Sequence, residues 1–184
     1  VADLLELYGE KVMLRPIEQA DYDRIISWSK YDEIQYFSDG DYPTTVEECE
    51  EWVKRAESNR YQVRFGIVLN RTIIGDIELD QITWRSGDAE LRIRIGERGL
   101  WDRGYGTDAV KVLLKYAFFN MNLSRIYLKV YTDNERAIRC YHKAGFKKEG
   151  RLTRETDSGS REIYLMRILK SEFERKQARL SNAG

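Results

Sequence analysis

The chain has 184 residues, 42% of them apolar and 34% charged, with 31 acidic and 31 basic side chains. Such a length and balance are those of one globular domain rather than a disordered chain. No apolar run approaches the ~20 residues of a membrane span, the start VADLLELYGEKV lacks a leader pattern, and Cys49 and Cys140 are too few for a disulfide framework, so a reduced cytoplasmic protein is expected.

Alternation in KVMLRPI (11–17) predicts a first strand with Pro16 near its end, and ADYDRIISWSKY (20–31) has helical spacing through Tyr22, Ile25, Ile26 and Trp28. VEECEEWVKRAES (46–58) predicts a second helix, with Thr44 or Thr45 as cap ahead of Glu47 and Glu48. YQVRFGIVL (61–69), TIIGDIELDQITW (72–84) and AELRIRIG (89–96) read as strands of a meander, turned at Asn70-Arg71 and at Ser86-Gly87-Asp88. The period then changes: Ala109, Val110, Leu113, Leu114, Ala117, Phe118 and Met121 form one buried face of a helix of about four turns.

RIYLKVYT (125–132) is strand-like, and DNERAIRCYHKAG (133–145) is a short helix with Asp133 or Asn134 at its N-cap and Gly145 just past its end. FKKEGRLTRET (146–156) and REIYLMRIL (161–169) are strands around a turn at DSG, and KSEFERKQARL (170–180) predicts an exposed charged helix. The expected order is β-α-α-β-β-β-α-β-α-β-β: one α/β domain over 1–184, a mixed, mainly antiparallel sheet of seven strands with about four helices, and a charged tail from about 170. Charge is uneven along it. Between Glu18 and Glu51 there are eleven acids against two bases, and from Trp52 onward 27 bases against 17 acids. A cation drawn to one side and a polyphosphate to the other is one reading of that asymmetry, and solvated helix faces are the other.

The turn before the long helix, WDRGYGTDA (101–109), fits the loose pattern G-x-G-x-x-[G/A] of a dinucleotide loop. Three features oppose that reading. Eight residues, Gly96 to Arg103, separate the strand from Gly104, Asp133 lies 27 residues beyond Gly106, and the preceding strands form an antiparallel meander. The logic of a phosphate cradle survives: Gly104 and Gly106 admit an anion to backbone N–H groups, the helix start points its dipole there, and Arg98 and Arg103 add charge; a glycine turn that merely starts a helix is the other reading of these residues.

RGLWDRGYGTDA resembles the pyrophosphate-binding motif [Q/R]-x-x-G-x-[G/A] of the GNAT acetyltransferase superfamily, and DNERAIRCYHKAGFKKEG resembles its second stretch, N-x-x-A-x-x-x-Y-x-x-x-G-F. They stand in the family's order with a strand between, most like the branch of ribosomal-protein N-terminal acetyltransferases and bacterial spermidine acetyltransferases. One departure is Trp101, where the motif has Gln or Arg. The resemblance implies the single-domain GNAT fold, splayed between its fourth and fifth strands (about 88–96 and 125–132). It further implies acetyl-CoA as co-substrate, with the pyrophosphate on the amides of Arg103, Gly104, Tyr105, Gly106 and Thr107.

Acetylating an amine requires a neutral amine, yet an alkylamine of pKa ~10.4 is less than about one part in a thousand neutral at pH 7. By the resemblance Tyr141 donates a proton to the departing sulfur, Asn134 binds the pantetheine arm from the same helix face seven residues away, and Glu90 is the base, acting through a water. Backbone N–H groups near Arg94 and Ile95 polarise the thioester carbonyl. A core tyrosine and a surface glutamate remain the structural alternatives for Tyr141 and Glu90. The acidic first helices suggest a cationic acceptor, a polyamine or a peptide or protein N-terminus, contacted by Glu33, Asp39 and Asp41. His142 has no metal-ligating partners in the sequence, so no metal is expected, and the tail lacks the interleaved aromatics of a nucleic-acid binder. A homodimer is left open. A non-catalytic acyl-CoA-binding domain and a nicotinamide-dependent oxidoreductase are the rival functions.

Overall fold

The computed structural model describes residues 5–38 and 40–183. Eight strands form one sheet in the order β1-β2-β3-β4-β5-β6-β8-β7. They are β1 (Leu7–Tyr8), β2 (Met13–Arg15), β3 (Val63–Leu69), β4 (Thr72–Thr83), β5 (Asp88–Ile95), β6 (Arg125–Tyr131), β7 (Lys147–Thr156) and β8 (Gly159–Leu169). The helices are α1 (Tyr22–Trp28), α2 (Asp32–Phe37), α3 (Val46–Glu57), α4 (Tyr105–Phe119), α5 (Glu135–Ala144) and α6 (Lys170–Asn182).

The α/β architecture and mixed sheet agree with expectation, and the counts differ for physical reasons. β1 is a two-residue pairing with β2, too short to carry a period. The strand expected from Lys11 begins at Met13, because the amides of Glu10, Lys11 and Val12 turn away to the Asp108 carboxylate at 3.1, 2.7 and 2.9 Å. The first helix stops at Trp28, and a separate α2 follows. Arg161 of β8 holds it, donating to the Tyr36 carbonyl at 2.7 Å with its guanidinium 3.8 Å from the Tyr36 ring centre.

β5 and β6 are parallel neighbours, paired only at Asp88↔Arg125, Ala89↔Ile126 and Glu90↔Tyr127. Beyond Glu90 they part, while β6 stays paired with β8 from Arg125 to Tyr131. The expected splay therefore exists between the fifth and sixth strands, shifted by one because β1 precedes them.

The gap is held open by packing on both sides. On one face α4 buries Ala109, Val110, Leu113, Leu114, Ala117 and Phe118 against Ile77, Leu79, Leu91, Ile126 and Leu128. A truncation such as Leu113→Ala costs about 2–5 kcal/mol in such a setting. α6 closes that core through Phe173, 5.4 Å from Phe118 between ring centres, so the tail is a docked helix with one buried residue rather than a wholly exposed one. On the other face α1, α2 and α3 pack around Trp28, Ile34, Tyr42 and Cys49. Gly96 is required there, since a Cβ would stand 2.0 Å from the Trp28 ring.

Candidate active site

Two cavities meet where β5 and β6 part. The first runs from the start of α4 along α5 and is lined by Trp101 to Thr107, Asn134, Arg136, Ala137, Arg139, Cys140 and Tyr141. The second, of about 430 Å³, lies between α3 and the sheet and is lined by Asp41, Trp52, Asp76, Glu78, Glu90, Arg92, Arg94 and Tyr141 among others. Phe37, Ser38, Ile93, Arg94, Lys129, Val130 and Tyr141 belong to both.

The glycine turn builds the first cavity. Gly104 is the N-cap of α4 with φ +84°, a left-handed conformation that L side chains rarely adopt. Gly106 differs: a Cβ there would meet nothing closer than Cys140 Sγ at 3.7 Å, an ordinary contact. Packing within the protein does not demand glycine at 106, and the missing methyl leaves space on the cavity side. The first intrahelical bond of α4 runs from Asp108 N to Gly104 O at 3.0 Å, so the amides of Tyr105, Gly106 and Thr107 point out unsatisfied. Around them stand Arg94, Arg103, Lys129, Arg136, Arg139 and Lys143 against Glu33 and Asp102, an excess of positive charge that suits a polyphosphate. The residues present thus fit an acyl-CoA.

Of the expected cofactor contacts, Arg103 to Thr107, Asn134, Arg94 and Ile95 line this cavity, and Arg98 does not. Arg98 pairs instead with Glu33 at 2.8 Å, both half-exposed. Asn134 is the N-cap of α5; its Oδ1 accepts from Ala137 N at 3.3 Å, which leaves Nδ2 for the groove. Gly96 N donates to Ile74 O at 2.9 Å, and Arg94 is registered with Asp76. Since alternate residues of an antiparallel strand turn their amides to opposite edges, Arg94 gives its N–H to β4, whereas Ile93 and Ile95 present theirs to the gap. The expectation of a polarising amide is therefore corrected from Arg94 to Ile93 beside Ile95.

Tyr141 sits where the cavities join. It is 7% exposed, its ring 5.9 Å from Phe146, and burial pushes its phenol well above the ordinary tyrosine value, with Cys140 adding to the shift and Arg136 opposing it. Among the described residues no hydrogen bond engages its hydroxyl. Burial also raises the neighbouring Cys140 thiol, with Thr107 opposing the shift, so the side chain is a neutral thiol rather than a nucleophile.

The second cavity has a charge-paired wall. Glu90, Arg92 and Arg94 share one face of β5, as alternation foretold, and β4 sets Asp80, Glu78 and Asp76 opposite them. Arg94 bonds Asp76 through Nε and Nη2, each at 3.1 Å, and its guanidinium lies 3.9 Å from the Tyr42 ring centre. Arg64 bonds Glu78 at 2.6 Å. Glu90, 2% exposed, accepts from Gln81 and Arg92 at 3.2 Å each and has Lys129 Nζ at 3.8 Å. Of these partners only Arg92 beside Glu90 was legible in the sequence, because a strand's alternation reveals a shared face but not what the next strand sets against it.

The expected acceptor contacts divide. Asp41 lines the second cavity and is exposed, Glu33 lines the first cavity and is taken by Arg98, and Asp39 lies outside the described residues. His142 is exposed, and no cluster of metal-ligating side chains occurs among the described residues. Within them, too, no helix is long and apolar enough to cross a membrane.

Comparison with known proteins adds to this geometry. The family model "Acetyltransferase (GNAT) domain" matches residues 11–147. An uncharacterized N-acetyltransferase, p20, of Bacillus licheniformis is 29% identical over 91% of this chain and 97% of its own. The spermidine N(1)-acetyltransferase of Escherichia coli K12 is 30% identical over 80% of this chain and 78% of its own. Among solved structures, the spermidine N-acetyltransferase of Vibrio cholerae in complex with CoA and spermine superposes with a TM-score of 0.79 at 26% identity, covering 90% of this chain and 99% of that one.

Proposed function

The chain belongs to the GNAT acetyltransferase family and is an acetyl-CoA-dependent N-acetyltransferase; on that premise we propose how its residues divide the work and which amine it acetylates. The observation that carries the reading is Tyr141, buried at the junction of the two cavities with a hydroxyl that the described protein leaves unbonded.

Acetyl-CoA, when bound, supplies an activated acetyl thioester. The amides of Tyr105, Gly106 and Thr107, with Gly104 and Arg103 beside them, hold its phosphates at the positive end of α4. Asn134 binds the pantetheine arm through Nδ2. The amides of Ile93 and Ile95 orient the acyl carbonyl and favour negative charge on its oxygen. Tyr141 donates a proton to the departing sulfur. A phenol is ordinarily a weaker acid than a thiol, and burial makes this one weaker still, so the hydroxyl acts as a hydrogen-bond donor that yields its proton only to a strongly basic thiolate. Glu90 accepts the amine's proton through a water in the second cavity, with Gln81, Arg92 and Lys129 fixing its carboxylate.

The acceptor is a primary amine that reaches Tyr141 through the second cavity past Asp41. A polyamine-like cation is the first reading, supported by the spermidine acetyltransferases among the relatives and by the exposed acids Glu47, Glu50 and Glu51 on α3. A peptide N-terminus is the second. It is favoured by the wall itself, whose buried carboxylates Asp76, Glu78 and Glu90 are already paired with basic side chains while Lys129 keeps donors for a carbonyl.

The test is thiol release from acetyl-CoA against polyamines, free-N-terminus peptides, amino acids and aminoglycosides. Release with a primary amine of either class is expected, and preference for anionic amines, or no release at all, would refute the proposal.

A further inference from the structure

Position 101 holds Trp where the family motif carries a charged or amide side chain, three residues before Gly104. Its indole N–H donates to the Ile95 carbonyl at 2.8 Å, which ties the ring to the end of β5 at the cavity edge. The guanidinium of Arg136, from the first turn of α5, lies 3.4 Å from the centre of that ring. A stacked guanidinium is held by its face and keeps its N–H edge for an anion.

Three nearby cations are committed elsewhere. Arg98 pairs with Glu33 at 2.8 Å, Arg139 stands 3.9 Å from Asp102 and 3.8 Å from Glu135, and Lys11 Nζ donates to the Arg103 carbonyl at 3.2 Å. Among the described residues Arg136 makes no hydrogen bond and no ion pair. It is half-buried, and that burial pulls its pKa below the usual arginine value despite the opposing fields of Asp102 and Glu33. A half-desolvated cation without a partner gains most when an anion arrives.

We propose that Arg136, stacked on Trp101, supplies to the diphosphate of acetyl-CoA the side-chain contact that the motif elsewhere draws from position 101. The charge has moved from the turn before α4 to the first turn of α5, and Trp101 is its platform. Both residues line the cavity that also contains Gly104 and Gly106. The inference rests on the acetyl-CoA reading of that cavity, and its test separates the two.

The test is calorimetric affinity for CoA, 3′-dephospho-CoA and pantetheine, with thermal melting to report folding. Arg136→Met is expected to weaken CoA and 3′-dephospho-CoA alike, by about 10- to 100-fold, and to leave pantetheine unchanged. Arg136→Lys keeps the charge without the flat stack and falls between. Equal affinities for wild type and Arg136→Met, or a loss confined to CoA, which would assign Arg136 to the 3′-phosphate, would overturn the proposal. A wild-type chain that binds neither CoA nor 3′-dephospho-CoA would remove the reading beneath it.

Discussion

Asp76 and Arg94 face each other across β4 and β5 in a two-pronged pair, 3.1 Å on each prong, at 4% exposure for Asp76. Burial acts to lower the Arg94 pKa, and Asp76, Tyr42 and Glu78 together more than offset it, so the guanidinium stays charged. Tyr42 completes the unit by donating to Asp76 Oδ1 at 2.8 Å. Asp76→Asn leaves a buried cation uncompensated and is expected to cost about 3–5 kcal/mol in urea unfolding. Asp76→Leu with Arg94→Met should cost less than Asp76→Asn alone; a larger loss in the double variant would show that the pair itself stabilises the wall.

Asp108 plays the matching part behind the glycine turn, where one carboxylate gathers the amides of Glu10, Lys11 and Val12. Asp108→Ala should destabilise the fold by about 3 kcal/mol or more, since those half-buried donors lose a charged acceptor. Because Asp108 lies one helical turn from Gly104, the same variant should raise the KM for acetyl-CoA more than that for the amine. Equal shifts in both would argue against a link between the loop and the turn.

Glu90 is tested by substitution: Glu90→Gln keeps the shape and removes the basic oxygen, and is expected to lower kcat/KM for the amine about 100-fold while leaving the Kd for acetyl-CoA unchanged. If kcat/KM is unchanged in Glu90→Gln, Glu90 serves only to hold Arg92 and Lys129, and the amine loses its proton to solvent.

Burial raises the Cys49 thiol to about 11, with Glu48 and Asp23 adding to the shift. The folded chain therefore keeps a proton that the unfolded chain releases above ~8.5. Stability from this group is complete below that value and falls as pH rises toward about 11, because the unfolded state then binds fewer protons. Melting temperatures of wild type and Cys49→Ala should converge as pH is raised from about 8 to about 10.5. Parallel curves would contradict the assignment.

Much of this was legible in the sequence, and the gaps have causes. The long strands and α4 declared themselves because each buries one face of a regular period, and Asn134 and Gly145 marked the ends of α5 by cap chemistry. β1 and α2 could not be read, since two residues and six residues carry no period and both are held by distant partners, Asp108 behind the first loop and Arg161 over Tyr36. Arg98 and Glu33 were expected in separate ligand contacts, yet they pair with each other at 2.8 Å. Arg136 went unnoticed because its partner is an indole 35 positions earlier, and nothing in local spacing joins them.

The central claim is that Tyr141 at the cavity junction serves the chemical step. It is tested most directly by Tyr141→Phe, comparing turnover in thiol release with the Kd for acetyl-CoA measured by calorimetry. The phenol is buried and held protonated well above the ordinary tyrosine value, so wild-type kcat should show no alkaline fall from it below about pH 10. Removing the hydroxyl should lower kcat by about 100-fold or more and change the Kd by less than about twofold. Unchanged turnover in Tyr141→Phe, or a loss wholly accounted for by weaker acetyl-CoA binding, would contradict it.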